Sequence, residues 1–189
     1  MAEKKLDGMK VAILVADYFE QVEMTEPRKA LEEAGAVTKI ISTKPGQVAG
    51  FKHDAKGDSF RVDITLDEAD PNNFDAVLLP GGALNADKLR MEPKAREFVM
   101  KLDAEDKPIA VICHGPWLLV SAGLVSGRTL TSYYTVQDDI RNAGGHWLNL
   151  ETVRDRNWVS SRRPSDIPAF NTEMVELFAN YMAGVQPVG

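Results

Sequence analysis

A three-layer α/β/α sandwich built on a mostly parallel sheet is the fold this sequence predicts, on three observations. Continuous apolar runs recur at 9–16, 74–80 and 108–113, the pattern of strands covered on both faces. Segments of helical period alternate with them, as crossovers between parallel strands require. The chain has 189 residues, of which 44% are hydrophobic and 26% charged, enough for one domain with an ordinary core and inconsistent with global disorder.

The first strand is Met9 to Ala16, ending at Asp17. Val22, Pro27, Ala30, Leu31 and Ala34 then recur at helical spacing, with Gly35 as the stop. Pro27 reads either as an early-turn residue after a Thr25 cap or as a kink. Val37 to Ser42 is the next strand. Pro45, Gly46, Gly50 and Gly57 punctuate alternating pieces at Val48 to Lys52 and Ser59 to Ile64, which predict a small β excursion from the main sheet. Phe74 to Pro80 resumes the buried-strand pattern and ends in the turn Pro80-Gly81-Gly82; Pro93 to Leu102 is a helix. Pro108 to Cys113 is another buried strand, followed at once by a helix over Gly115 to Ala122. Beyond it come a short strand near Thr129, a helix near Val136 to Ala143, and strands around Thr152 to Arg154 and Trp158 to Ser160. A closing amphipathic helix carries Ile167, Phe170, Met174, Leu177, Phe178 and Tyr181 on its apolar stripe. No repeat or linker divides the chain, so a single domain over 1–189 is expected, with 1–8 as a loose tail.

Composition narrows the partners. The 22 basic and 28 acidic residues give a net charge of −6, against the clustered cations that sequence-independent nucleic-acid binding needs. No apolar run reaches the length of a signal core or a bilayer span, which leads to the expectation of a cytoplasmic protein with no membrane partner. The single cysteine excludes an intrachain disulfide and suits a reducing compartment. Three scattered histidines and one cysteine lack metal-ligand spacing, so no metal is expected. Neither a G-x-G-x-x-G nor a Walker A loop is present, so no cofactor is expected.

In open parallel sheets ligands bind beyond the carboxyl ends of the strands. Asp17 to Glu23, Pro80 to Asp87 and Cys113 to Pro116 fall there. Cys113 occupies a strand-to-helix turn with the layout of a nucleophile elbow, where backbone N–H groups and the helix dipole favour a thiolate. Position alone leaves open the other reading, a strand-end cysteine that only packs. His114 adjoins the thiol in sequence, but neighbouring side chains at a sharp turn are expected to diverge. Glu20 reads as a helix-start carboxylate of an Asp17-x-x-Glu20 cap, or as a shielded acid that hydrogen-bonds the thiolate. Gly81 and Gly82 are turn residues that also let backbone amides approach an oxyanion. His53 and His146 are expected to be surface or structural. Ser160 to Pro164 is expected to be a charged loop, or a surface that pairs with acidic groups.

These segments together resemble the ThiJ/PfpI family, the intracellular-protease and general-stress-protein branch of the class I glutamine-amidotransferase-like superfamily. The likeness rests on Met9-Lys-Val-Ala-Ile-Leu with Phe19-Glu20-x-x-Glu23, Phe74-Asp-Ala-Val-Leu-Leu-Pro-Gly-Gly82, Lys107-Pro-Ile-Ala-Val-Ile-Cys-His-Gly-Pro116, Gly127-Arg, Asp138-Asp139 and Ser161-Arg-Arg-Pro. The resemblance implies a flavodoxin-like sandwich with Cys113 as nucleophile, Glu20 as its buried glutamate partner, and the amides of Gly82 and His114 as oxyanion hole. It also implies that His114 pairs with an acid from a neighbouring subunit. The matching position is Asp87, in a loop one residue longer than usual and with Asp in place of Glu. Tyr133 and Trp117 fall at pocket positions with Gly81, and Trp117 is expected to narrow or line the entrance. Glutaminase chemistry is not expected, since the His-x-Glu pair it uses late in the chain is absent.

Two functions are therefore expected to compete. One is a cysteine hydrolase whose thiolate attacks a carbonyl, in a reactive dicarbonyl, a glycated adduct or a peptide. The other is a non-enzymatic stress sensor or chaperone acting through oxidation of Cys113. The expected partners are a small carbonyl compound or a protein substrate, with the chain assembled as a homodimer or larger homo-oligomer.

Overall fold

The computed structural model describes residues 4–185. The chain runs through β1 (Lys10–Leu14), β2 (Phe19–Glu20), α1 (Gln21–Glu33), β3 (Val37–Ser42), a hairpin of β4 (Gln47–Lys52) and β5 (Ala55–Arg61), and β6 (Ile64–Thr65). It continues with β7 (Ala76–Leu79), α2 (Ala83–Met91), α3 (Pro93–Ala104), β8 (Ile109–Ile112), α4 (Pro116–Ser121) and β9 (Thr129–Leu130). The last part holds α5 (Gln137–Asn142), β10 (His146–Trp147), β11 (Thr152–Asp155), β12 (Trp158–Ser161) and α6 (Ile167–Met182).

Seven strands form the main sheet in the order β11-β12-β8-β7-β1-β3-β6. Every pair is parallel except β11 with β12, at one edge. The expected mostly parallel three-layer sandwich is what forms. Because successive side chains of a strand face opposite ways, Val11 and Ile13 of β1 enter one core while Ala12 and Leu14 enter the other. The first core is closed by Met24 and Leu31 of α1 and by Phe170, Met174, Leu177 and Phe178 of α6. Helices α2 to α5 close the second through Leu89, Phe98, Val99, Leu102, Leu118 and Ile140. The chain leaves β1 toward β3 and later returns on its other side as β7. Connections to either side of β1 therefore diverge at the carboxyl ends of β1 and β7, which opens a crevice there.

The β excursion lies over that crevice. β2 follows the turn after β1 and pairs in parallel with β4, bringing Glu20 opposite Phe51, and β5 closes the small three-stranded sheet. The expected strand at Ser59 to Ile64 is divided, with β5 ending at Arg61 and β6 joining the edge of the main sheet beside β3.

Four further expectations change. Residues 4–8 are docked, not loose: Leu6 is fully buried and its amide donates to the Ala34 carbonyl at 2.9 Å. Residues 1–3 of the expected tail lie outside the described residues. Pro27 lies in the interior of α1, so Thr25 is not a cap. Glu20 stands at the start of α1 without a capping side-chain bond, while Asp17 accepts from the Ala49 amide at 2.9 Å and pairs with Lys44. Ser160, the end of the expected strand from Trp158, and Ser161, expected in a charged loop, are both buried in β12 beside β8.

Candidate active site

Cys113 follows β8 directly and has φ 64°, the left-handed region that costs a non-glycine residue energy and that a tight strand-to-helix turn imposes. Its amide donates to the Ser161 carbonyl at 3.1 Å, and its carbonyl accepts from the Tyr133 amide at 2.9 Å. The turn is thus held from both sides. Gly115 completes it: a Cβ there would come 2.8 Å from the Leu79 carbonyl oxygen. The nucleophile-elbow geometry is present, although α4 has only six residues and its dipole is correspondingly small. The sulfur is instead served by two specific amides, those of Gly82 and His114, which donate toward it.

Glu23, in the first turn of α1, is fully buried beside the thiol. Its Oε2 accepts from the Gly81 amide at 2.9 Å, and the carboxyl is within hydrogen-bonding reach of Cys113. Burial pushes its pKa up to about 8, helped by the charge of nearby Glu20. The acid is therefore neutral at pH 7 and carries a hydrogen to donate. Its Oε1 is buried with no hydrogen-bond partner among the described protein groups. Burial, together with any charge on Glu23 and its hydrogen bond, pushes the Cys113 thiol well above its ordinary value, and the two amides offset this only in part. A negative charge is nevertheless better solvated on sulfur than on the Glu23 carboxyl. Two N–H groups and the Glu23 hydrogen solvate it there, whereas a Glu23 anion would have one N–H and a weak S–H donor.

His114 does not diverge from the thiol as expected. Its Nδ1 lies 3.2 Å from Sγ, because the ring is held between Tyr133, stacked at 4.9 Å, and Trp117, edge-on at 5.2 Å. Burial lowers its pKa, so the neutral imidazole can accept the thiol proton. Nε2 faces Thr135 Oγ1 at 3.4 Å.

A cavity of about 390 Å³ opens over the sulfur, lined by Glu23, Gly82, Cys113, His114, Tyr133 and Leu84, with Tyr18, Glu20, His53 and Asp54 toward its mouth. Tyr18 and His53 have φ of 69° and 61°. With Cys113, three of the five left-handed non-glycine residues among those described line this one cavity, so backbone strain is concentrated at the site.

The acid against the sulfur is Glu23, not Glu20. The two stand three residues apart at the start of α1 and face the same way, and the spacing alone does not say which one the fold buries. Glu20 lies at the mouth, where its two oxygens take the His53 amide at 3.4 and 3.3 Å. Trp117 does not line the cavity: its Nε1 donates to Asp139 at 3.1 Å and Arg90 sits 5.3 Å above the ring, behind His114. Asp87 is exposed on α2 and is not among the residues lining the cavity of its own chain. Gly81 lies beneath the sulfur, where a Cβ would overlap the Glu23 carboxyl and come 2.6 Å from Cys113 Cβ. Gly82, at φ 91°, is packed equally close to the backbone of 18–20. Tyr133 lines the cavity as expected.

Asn85 was not anticipated in the sequence. Fully buried, it accepts from the Ala16 amide at 2.7 Å and donates to the carbonyls of Pro80 and Gly81 at 3.2 and 2.9 Å. It ties the turn after β1 to the turn after β7. Its signal was an Asn three residues after a Gly-Gly turn, which by itself resembles loop chemistry.

The sequence profile of the DJ-1/PfpI family matches residues 9–177. The chain belongs to the DJ-1/PfpI family. It is 46% identical over 169 residues to Deglycase PfpI of Pyrococcus furiosus, covering 89% of this chain and 99% of that protein. Among solved structures it resembles a two-domain protein from Anabaena variabilis with DJ-1/ThiJ/PfpI-like and ferritin-like domains. That match has a TM-score of 0.84 and 32% identity, and covers 89% of this chain and 47% of that one. Drosophila melanogaster DJ-1beta shares the fold at a TM-score of 0.82 and 23% identity, with 91% of each chain covered. No helix among the described residues is long and apolar enough to cross a membrane.

Proposed function

We propose that this protein is a cysteine-dependent enzyme in which the Cys113 thiolate attacks the carbonyl carbon of a reactive dicarbonyl or of an early adduct that such a compound forms with an amine or thiol. The observation that carries the reading is one sulfur flanked by a neutral buried acid, an imidazole at 3.2 Å and two amides, at the floor of a cavity. The relative named as a deglycase supports this choice of substrate class.

His114 takes the thiol proton, and sulfur adds to the aldehyde carbon while the carbonyl oxygen becomes an oxyanion under the Gly82 and His114 amides. Proton return to that oxygen gives a hemithioacetal. The hydrogen on the former aldehyde carbon then moves, as a proton, to the neighbouring carbonyl carbon through an enediol. One carbon is thereby oxidised and the other reduced, leaving a thioester with no outside oxidant. Water cleaves it to a 2-hydroxy acid and the free thiol. From a glycated amine, sulfur displaces the amine, which leaves with a proton, and the same hemithioacetal results. A cavity of about 390 Å³ suits such small groups better than a folded polypeptide.

We also propose that the chain works as a homo-oligomer in which Asp87 of α2 approaches a neighbour's His114, since Asp87 is exposed and free to do so. The sensor reading draws on the same neutral Glu23, which would hydrogen-bond an oxidised sulfur equally well. A substrate panel of methylglyoxal, methylglyoxal-treated N-acetyl amino acids and a peptide separates the two. Cys113→Ser should lower turnover of the first two classes by about 10²-fold or more. No turnover by the parent, together with selective peroxide oxidation of Cys113, would overturn the enzyme in favour of the sensor.

A further inference from the structure

Asn85 stands in the first turn of α2, and its side-chain amide reaches back to the turn that precedes the helix. Its atoms are assigned by their partners. The Ala16 amide can only donate, so the atom 2.7 Å from it is the oxygen. The carbonyls of Pro80 and Gly81, at 3.2 and 2.9 Å, can only accept, so they face the nitrogen. A trans peptide unit points its C=O and its N–H in opposite directions. Fixing the Pro80 carbonyl therefore aims the Gly81 N–H the other way, where it meets Glu23 Oε2 at 2.9 Å. Fixing the Gly81 carbonyl likewise aims the Gly82 N–H at Cys113. One buried side chain thus orients two consecutive peptide units whose donors serve the acid and the sulfur.

Such a hold is needed because the peptide between Gly81 and Gly82 has no Cβ on either side. A peptide unit can turn over while its two Cα atoms stay in place, and glycine on both flanks removes the steric bar to the reversed form. Reversed, this one would present the Gly81 carbonyl oxygen to the sulfur, where a donor is required. The Glu20 amide, at 3.2 Å, is the other group that holds this oxygen, and Asn85 supplies the shorter bond. An aliphatic side chain at 85 would fill the space but hold neither carbonyl. We infer that Asn85 is a positioning residue of the reaction, which acts by keeping the Gly82 N–H turned toward Cys113 and toward the oxyanion that forms beside it. This role rests on Cys113 being the reacting group.

Gly81-Gly82 and Gly144-Gly145 are the two Gly-Gly links of the sequence. Protein made with glycine isotopically labelled at its carbonyl carbon and its nitrogen therefore gives two signals in an NMR spectrum that correlates each amide with the preceding carbonyl. Gly145, whose amide donates to the Ile140 carbonyl at 2.9 Å, serves as the control for folding. In the parent the Gly82 amide proton should move downfield as Cys113 ionises, and in Cys113→Ser it should not. In Asn85→Leu, with Gly145 at its parental place, that movement should be lost. The midpoint of Cys113 alkylation should then rise by about half a unit to one unit. The kcat for methylglyoxal should fall by about tenfold or more with KM nearly unchanged. If Asn85→Leu does not fold, Asn85→Ser, too short to reach the carbonyls, gives the same reading. A Gly82 signal that moves as in the parent, or a parental kcat, in a folded variant overturns the positioning role and leaves the enzyme standing. A Gly82 movement that depends on Asn85, in a parent that turns over no adduct, would sink the enzyme and leave the hold on the amide standing.

Discussion

Glu23 links chemistry to stability at the scale of single residues. Its folded pKa of about 8 stands above the ordinary 4.5, so between those values the folded chain holds a proton that the unfolded chain has released. Stability must then fall as pH rises from about 4.5 to about 8, by an amount on the order of a few kcal/mol. Below that window the contribution vanishes, because both states are protonated. Glu23→Gln keeps the shape without the titration, so its thermal midpoint should lose less than the parent's between pH 5 and 8. Parallel pH curves for the two proteins would show that Glu23 is not held neutral. Cys113 was legible in the sequence because its strand, turn and helix follow one another without a spacer. Glu23 was not, because Glu20 and Glu23 share a spacing and only three-dimensional packing separates the buried acid from the one at the mouth.

At the scale of elements, the central strands β1, β7 and β8 of the main sheet were legible from continuous apolar runs, and α1, α3 and α6 from helical period. Helix α2 was missed because Asn85 and the two preceding glycines read as a turn, and because its buried residues, Asn85, Ala86 and Leu89, make a weak apolar stripe. The far edge of the molecule depends on a buried polar network that sequence could not reveal. Asp103 of α3 accepts from Arg128 at 2.8 Å, Asn157 at 3.0 Å and Trp158 at 2.7 Å, and Arg128 also lies 4.2 Å from the Trp158 ring. It joins α3 to β12 and to the segment entering β9. Asp103→Ala takes the carboxylate from a buried guanidinium that keeps only the neutral acceptors Asp155 O and Asn157 Oδ1, leaves Trp158 Nε1 without an acceptor, and should destabilise the protein by about 2–3 kcal/mol in denaturant unfolding. Per folded molecule, Cys113 alkylation should stay near the parent's. A loss under ~0.5 kcal/mol would contradict the structural role of the network.

At the scale of the whole molecule, the site exists because the chain leaves β1 to one side and returns on the other. The turns after β1, β7 and β8 then converge, bringing Glu23, Gly81, Gly82 and Cys113 together from segments up to 90 residues apart, as from Glu23 to Cys113. That convergence was predictable from the order of strands and helices. The hairpin over the mouth, with His53 and Asp54, was not, since its glycine-punctuated segments fix neither their pairing with β2 nor the side of the sheet they cover. The most direct test of this convergence is the pH dependence of Cys113 alkylation in the parent and in Glu23→Leu. If neutral Glu23 donates to the sulfur and the pair's first negative charge lies there, removing the carboxyl shifts the midpoint of the rate profile upward, by about one unit or more for a lost charge-assisted hydrogen bond. A midpoint that moves downward would mean that Glu23 is the group that ionises first and opposes the thiolate, and the account of the site would be wrong.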